Sequence, residues 1–227
     1  MVGGAGVPPA SPTPSQIAEN ASIIRSRIES AGGDPGEVTL VAVTKKFSAD
    51  VARAAFEAGL EDLGENYAAE LAEKAAATHD LPIRWHFLGS IQTNKLARLA
   101  PVTSCFQGLC RQKEAEALVR RSPGARVMVQ IDFTGQAGRG GVQPTDVADL
   151  VVGGRLLGLD VCGLMTVAPV DPVAARASFR RLREMADDLG VAERSMGMTD
   201  DLEIAVEEGS TMVRVGRALF GGRPIGT

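Results

Sequence analysis

From residue 38 onward, short apolar runs alternate with alanine-rich amphipathic segments, and this alternation limits the fold more than any other feature of the chain. A run such as Val38-Thr-Leu-Val-Ala-Val-Thr44 is apolar at nearly every position, so a strand built from it must be covered on both faces, as in a parallel sheet flanked by helices. Strands are expected near 39–44, 61–63, 84–89, 102–106, 126–132, 158–165, 194–197 and 211–215, and the helices between them include one over about 172–189. Such a series fits a closed (β/α)8 barrel or a doubly wound open sheet. The polar residues discriminate between the two. Lys45, Gly64-Glu65-Asn66, Gly89-Ser90, Asp132, Met165-Thr166, Met198-Thr199 and Arg214-Gly216 all fall at the carboxyl ends of the expected strands. A barrel gathers such residues around one mouth, whereas an open sheet disperses most of them, so the expected fold is a single α/β domain, a (β/α)8 TIM barrel spanning residues 13–227.

An extra helix precedes the barrel. Residues 1–12, MVGGAGVPPASP, lack hydrophobic periodicity and read as a flexible tail. Thr13-Pro14-Ser15-Gln16 then carries a capping box with proline at the first helical position, and Ile17, Ile24 and Ile28 recur on one face up to a stop at Gly32-Gly33. With 227 residues, 44% of them hydrophobic, the chain can bury one sizeable core. A net charge of −4 with dispersed Lys and Arg offers no stripe for nucleic acid or anionic lipid, and charges interrupt every apolar run long enough to suggest a membrane span. Cys105, Cys110 and Cys162 lack metal-ligand spacing, and no secretory leader is evident, so reduced thiols and a cytoplasmic location are expected.

Three segments carry candidate chemistry. Period-2 geometry sends Lys45 and Lys46 to opposite sides of the first strand, and Lys45 shares its side with Val41 and Val43. An amine among apolar neighbours loses hydration, its pKa falls, and it becomes a nucleophile able to form an imine; alternatively, both lysines simply solvate a strand end. Gly197-Met-Thr-Asp-Asp201 turns a short strand into a helix, where Thr199 either holds an anion or serves as an N-cap. In Ser210-Thr-Met-Val-Arg-Val-Gly-Arg217 an arginine interrupts an apolar strand. Arg214 therefore needs an acceptor, either a ligand atom or Glu203 or Glu207, and Gly216 would admit close backbone approach. The glycine-rich stretch 135–141 fits neither nucleotide-binding fingerprint and reads as a flexible loop.

Val41-Ala-Val-Thr-Lys45, Gly64-Glu-Asn-Tyr67, Trp85-His-Phe-Leu-Gly-Ser-Ile-Gln-Thr-Asn-Lys95, Gly163-Leu-Met165, Gly197-Met-Thr-Asp-Asp201 and Gly209-Ser-Thr-Met-Val-Arg-Val-Gly216 together resemble the pyridoxal phosphate homeostasis proteins, from about residue 15 to residue 223. The resemblance implies a barrel of the alanine-racemase N-terminal type that holds pyridoxal 5′-phosphate (PLP) as a Schiff base on Lys45. It further implies that Thr199 and the backbone around Gly216 hold the phosphate, Arg214 faces the pyridine nitrogen, and Asn66 lines the ring. Implied partners are PLP itself and apoenzymes that receive it, for a monomer or weak homodimer. Thr44 and Thr199 replace the family's more usual serines, Asp132 stands for asparagine, and Arg139 stands where a second lysine is expected.

Two enzymatic alternatives remain at this point. A PLP-dependent racemase would use the same barrel, but such racemases draw a catalytic tyrosine from an added β-domain, and Tyr67 is the only tyrosine here. His79 and His86 are weaker substitutes, since a histidine beside Trp85 in a strand is more often packed than catalytic. A cofactor-free Schiff-base aldolase would also place a lysine in a barrel.

Overall fold

The computed structural model describes residues 11–135 and 140–222. Its strands are β1 (Thr39–Val43), β2 (Asp62–Glu65), β3 (Arg84–Phe87), β4 (Cys105–Leu109), β5 (Arg126–Ile131), β6 (Asp160–Thr166), β7 (Glu193–Ser195) and β8 (Met212–Val215). Its helices are α1 (Pro14–Ser30), α2 (Ala49–Glu57), α3 (Ala68–Ala77), α4 (Leu96–Leu99), α5 (Gln112–Val119), α6 (Val147–Leu156), α7 (Pro172–Asp188), α8 (Leu202–Glu207) and α9 (Arg217–Phe220). The strands run parallel in chain order and close into a barrel, with β8 returning to β1 in the register Val41 to Arg214 and Ala42 to Val215. The expected (β/α)8 barrel is therefore the fold observed.

Alternation along the strands, interrupted in β6 where the register with β5 shifts between Val161 and Gly163, divides the interior into two layers. Val41, Cys105, Met128, Cys162, Met165 and Met212 point inward and fill the barrel. Leu40, Ala42, Leu63, Phe87, Phe106 and Leu164 point outward into the larger core beneath the helices. That both layers are buried explains why the strands read as near-continuous apolar runs. No helix among the described residues is long and apolar enough to cross a membrane.

The N-terminal helix forms as its sequence predicts. The Thr13 side chain accepts from the Gln16 backbone N–H at 3.3 Å, and the Gln16 side chain accepts from the Thr13 N–H at 2.9 Å. Ile17, Ile24 and Ile28 are buried where α1 meets α2, α8 and α9, closing one side of the helical ring. Asn20 adds a side-chain hydrogen bond to the Leu219 carbonyl at 2.9 Å.

Several strand boundaries depart from the sequence reading: β3 ends at Phe87 instead of 89, β6 begins at Asp160 instead of 158, and β2, β4 and β7 also differ. β2 continues through Glu65 because that buried carboxylate has a buried cation beside it. β7 spans Glu193–Ser195 instead of 194–197. β4 begins at Cys105 instead of 102, since Val102 belongs to the turn that closes α4, and it runs on through Gln107 and Gly108. A glutamine followed by glycine looks like a strand end. Inside the barrel, however, Gln107 finds polar partners, and a Cβ at Gly108 would come within 2.4 Å of the Gly89 carbonyl oxygen. The flexible-tail reading falls largely on residues 1–10 and the glycine-loop reading partly on 136–139, both outside the described residues.

Ile24 is 1% exposed and anchors α1. Ile24→Ala should cost about 2–5 kcal/mol of unfolding free energy through lost burial and a residual cavity, measured as a lower urea midpoint at unchanged slope.

Candidate functional site

The carboxyl ends of the strands surround a pocket of about 580 Å³. Lys45, Asn66, Thr199, Arg214 and Gly216 all line it, so every site residue expected from sequence converges on one cavity. Phe47, Leu88, Met165 and Val167 add apolar wall, and Phe47 is held from behind by the Phe220 ring at a centroid distance of 5.5 Å.

Lys45 follows β1 on the inward side shared by Val41 and Val43, and it is half-buried. Lys46 is exposed, with a left-handed backbone (φ 67), and its N–H donates to Glu70 Oε2 at 2.7 Å. The two lysines thus diverge as period-2 geometry requires, and Lys46 has its own backbone anchor.

That anchor belongs to a buried cluster that the sequence reading did not find. Thr44 Oγ1 donates to Glu65 Oε1 at 2.8 Å, while Lys74 Nζ donates to the same oxygen at 2.5 Å and to the Thr44 carbonyl at 2.8 Å. Glu65 and Lys74 are almost wholly buried. Burial pushes the Glu65 carboxyl up, against the opposing pull of Lys74 and Thr44. The cluster ties α3 to the end of β1 and holds the turn that carries Lys45. Its sequence signal is faint: an i,i+4 Glu70–Lys74 pair, with nothing to mark Lys74 as buried.

Arg214 settles one of the alternatives left open by sequence. It is 5% exposed, and it donates through Nη1 to Ser195 Oγ at 2.7 Å and through Nη2 to the Thr166 carbonyl at 2.7 Å. Glu203 pairs instead with Arg27, and Glu207 pairs with Arg176. Desolvation lowers the Arg214 pKa to about 10, so the guanidinium remains charged at neutral pH. A cation lines the pocket without a carboxylate within ion-pair distance among the described residues.

The turn at 197–201 removes one of the two alternatives for Thr199. Helix α8 starts at Leu202 with Asp201 as its N-cap position, so Thr199 is a turn residue two positions before the N-cap and not the cap itself. Asp201 Oδ1 accepts from the Met198 N–H at 2.6 Å, Asp200 pairs with Arg217, and the Thr199 carbonyl accepts from Arg27 at 2.9 Å. Asp201 is thereby held by a backbone N–H, while the Asp200–Arg217 pair itself lines the pocket beside Thr199. Gly197 (φ +95) makes the turn possible, since a Cβ there would also lie 2.6 Å from the Ala205 side chain. At Gly216 a Cβ would approach the Val43 carbonyl to 3.1 Å, so glycine lets the end of β8 lie against β1 as well as opening the pocket wall.

Other rim residues have local roles. Asp132 Oδ1 accepts from the Thr134 N–H at 2.8 Å and hydroxyl at 2.6 Å, which makes it a turn residue. A Cβ at Gly89 would come within 2.0 Å of the Asn66 carbonyl oxygen, so the ends of β2 and β3 depend on that glycine to meet. Asn66 itself leaves Oδ1 buried without a hydrogen-bond partner. A buried orphan of this kind at a pocket wall is where a ligand donor is expected. Arg139, the expected lysine replacement, lies outside the described residues.

The family model described as alanine racemase, N-terminal domain, matches residues 13–224. The pyridoxal phosphate homeostasis protein of Pseudomonas aeruginosa is 41% identical over 227 residues, covering 93% of this chain and 98% of that protein. The chain belongs to the pyridoxal phosphate homeostasis protein family. The family member from Escherichia coli is 32% identical, covering 91% of this chain and 97% of its own length. Among solved structures, PipY of Synechococcus elongatus with PLP bound matches with a TM-score of 0.80 at 31% identity, covering 90% of this chain and 100% of that one. The lysine decarboxylase of Selenomonas ruminantium shares the fold alone, with a TM-score of 0.68 at 16% identity over 63% of its chain.

Removing Lys74 would leave Glu65 buried without its cation. Lys74→Met should cost about 3–5 kcal/mol at neutral pH, and Lys74→Met combined with Glu65→Leu should recover most of that loss in a denaturation cycle. Because the Glu65 pKa is already raised in the folded state, its protonated form favours folding. The Lys74→Met deficit should therefore shrink as the pH falls toward the ordinary Glu value of 4.5.

Proposed function

We propose that this chain binds PLP in the mouth pocket, holds it covalently through Lys45, and serves intracellular cofactor homeostasis without committed amino-acid turnover. The observation that carries the reading is Arg214, a buried cation lining the same cavity as Lys45 with no carboxylate within ion-pair distance among the described residues. Relatives named for PLP homeostasis and a PLP-bound neighbour support the choice of ligand. When bound, the cofactor supplies an aldehyde that condenses with a primary amine, with loss of water.

The residues present fit such a ligand. Lys45 Nζ is the amine, presented from the inward side of β1 by the Thr44–Glu65–Lys74 cluster. The Thr199 hydroxyl and the backbone at Gly216 would hold the phosphate, with the charge of Asp200 offset by its pairing with Arg217. Asn66 would satisfy its orphan oxygen beside the ring. Met165, Leu88 and Val167 would exclude water from the ring faces.

The same residues explain restraint. Arginine cannot accept a proton from the ring nitrogen, and its charge disfavours protonation there, so the ring withdraws electrons weakly. A two-base racemization also needs a second proton carrier. Tyr67 is 49% exposed and does not line the pocket, and neither histidine lines it among the described residues.

Protein incubated with PLP and desalted should show a visible absorption band that disappears on borohydride reduction, with the added mass on Lys45. Reduced mass on another lysine would overturn the assignment to Lys45, and no band would favour a cofactor-free Schiff-base enzyme. Lys45→Ala should lose the reducible link and keep weaker, phosphate-dependent retention of PLP. With alanine or serine as substrate, chiral chromatography should show racemization no faster than with free PLP, and substantial turnover would restore the racemase reading.

A further inference from the structure

Beneath the pocket, a line of buried polar groups crosses the barrel. Arg214 Nη1 lies 2.7 Å from Ser195 Oγ, and Ser195 Oγ lies 2.6 Å from Gln107 Oε1. Gln107 Nε2 then lies 2.8 Å from His86 Nδ1, and His86 Nε2 lies 2.9 Å from Asp62 Oδ1. Asp62 opens β2 at the amino end of the barrel, where Arg84 grips it through Nε at 2.9 Å and Nη2 at 2.6 Å. Ser195 and Gln107 are fully buried, and His86 and Arg214 are each 5% exposed.

The protons along this line can be assigned from one end. Arginine only donates, so Ser195 Oγ accepts from it and sends its own hydrogen to Gln107 Oε1. The amide nitrogen of Gln107 also only donates, so His86 Nδ1 accepts and carries no proton. The remaining imidazole proton is on Nε2 and points at Asp62. Every donor thus faces the same way, from the guanidinium to the carboxylate. Burial raises the Asp62 carboxyl, but hydrogen bonds from His86 and Arg84 outweigh it and hold the pKa at about 2, so the far end stays anionic.

Reversing Gln107 would take its carbonyl oxygen away from the Ser195 hydrogen, and would require a proton on His86 Nδ1 in addition to the one on Nε2 that faces Asp62. The order of the line is therefore coupled from end to end. The surrounding inward residues are Val, Met and Cys, and such a layer could be completed with apolar side chains without burying five polar groups. Ser195 touches Arg214 directly, whereas Gln107, His86 and Asp62 reach it only through one another.

We propose that Gln107, His86 and Asp62 are positioning residues for Arg214, forming a one-directional relay that fixes the guanidinium presented to the bound ring and links its charge to a carboxylate at the opposite end of the barrel. The proposal rests on the reading that Arg214 faces the PLP ring nitrogen. His86 is thereby assigned a defined neutral tautomer in place of the packing role expected from sequence.

The test uses nitrogen NMR of the full-length protein. Without cofactor, His86 should be neutral with its proton on Nε2; a proton on Nδ1 at neutral pH overturns the relay without any substitution. With PLP labelled at the ring nitrogen, Gln107→Leu and His86→Leu should shift the ring-nitrogen signal from its wild-type position. His86→Gln should keep that position, because its amide can accept from Gln107 and donate to Asp62. Cofactor uptake with a signal that neither leucine variant moves, or that His86→Gln moves as much as they do, overturns the inference alone. A wild-type protein that takes up no cofactor overturns the underlying reading instead.

Discussion

The site depends on one pairing, the hydrogen bonding of β8 to β1 that closes the barrel. Its register sets Val41 beside Arg214 and Ala42 beside Val215, which brings the strand leading to Lys45 against the strand carrying the buried cation. Gly216 then passes close to the Val43 carbonyl, and α9 folds Phe220 onto Phe47. A shift of one residue in this pairing would turn every inward side chain outward, and Lys45 and Arg214 would no longer share a cavity.

Polar groups are buried on both sides of the sheet, and two clusters of them are tied to the pocket. Outside it, Lys74 and Glu65 neutralize one another and grip Thr44, fixing the turn from which Lys45 projects. Inside it, Ser195, Gln107 and His86 carry hydrogen bonds from Arg214 to Asp62. Such groups add little net stability compared with apolar packing, and their value lies in allowing few arrangements. The unmet oxygens of Asn66 and Glu65 lie on consecutive residues at the end of β2, one of them at the pocket wall.

Much of the fold was legible because strands covered on both faces must be apolar throughout, and because Thr13 to Gln16 can cap a helix by local contacts alone. The pocket residues were legible for a related reason: Lys45 and Arg214 are polar groups at the ends of apolar strands, and both line the cavity. β4 runs past the 102–106 expected from sequence through Gln107, whose partners, Ser195 and His86, lie far away in the chain. Lys74 resembled any lysine on an amphipathic helix, and its burial follows from where α3 lands on β1 and β2.

By itself, the sequence determined the alternation of strands and helices, the side of β1 on which Lys45 stands, and the need of Arg214 for an acceptor. These follow from local periodicity and from the chemistry of single side chains. Only the tertiary structure decided which acceptor Arg214 takes, that Glu203 and Glu207 are committed to other arginines, and that Thr199 precedes its helix without capping it. Those outcomes depend on distances between residues far apart in the chain, which barrel closure sets and no local pattern encodes.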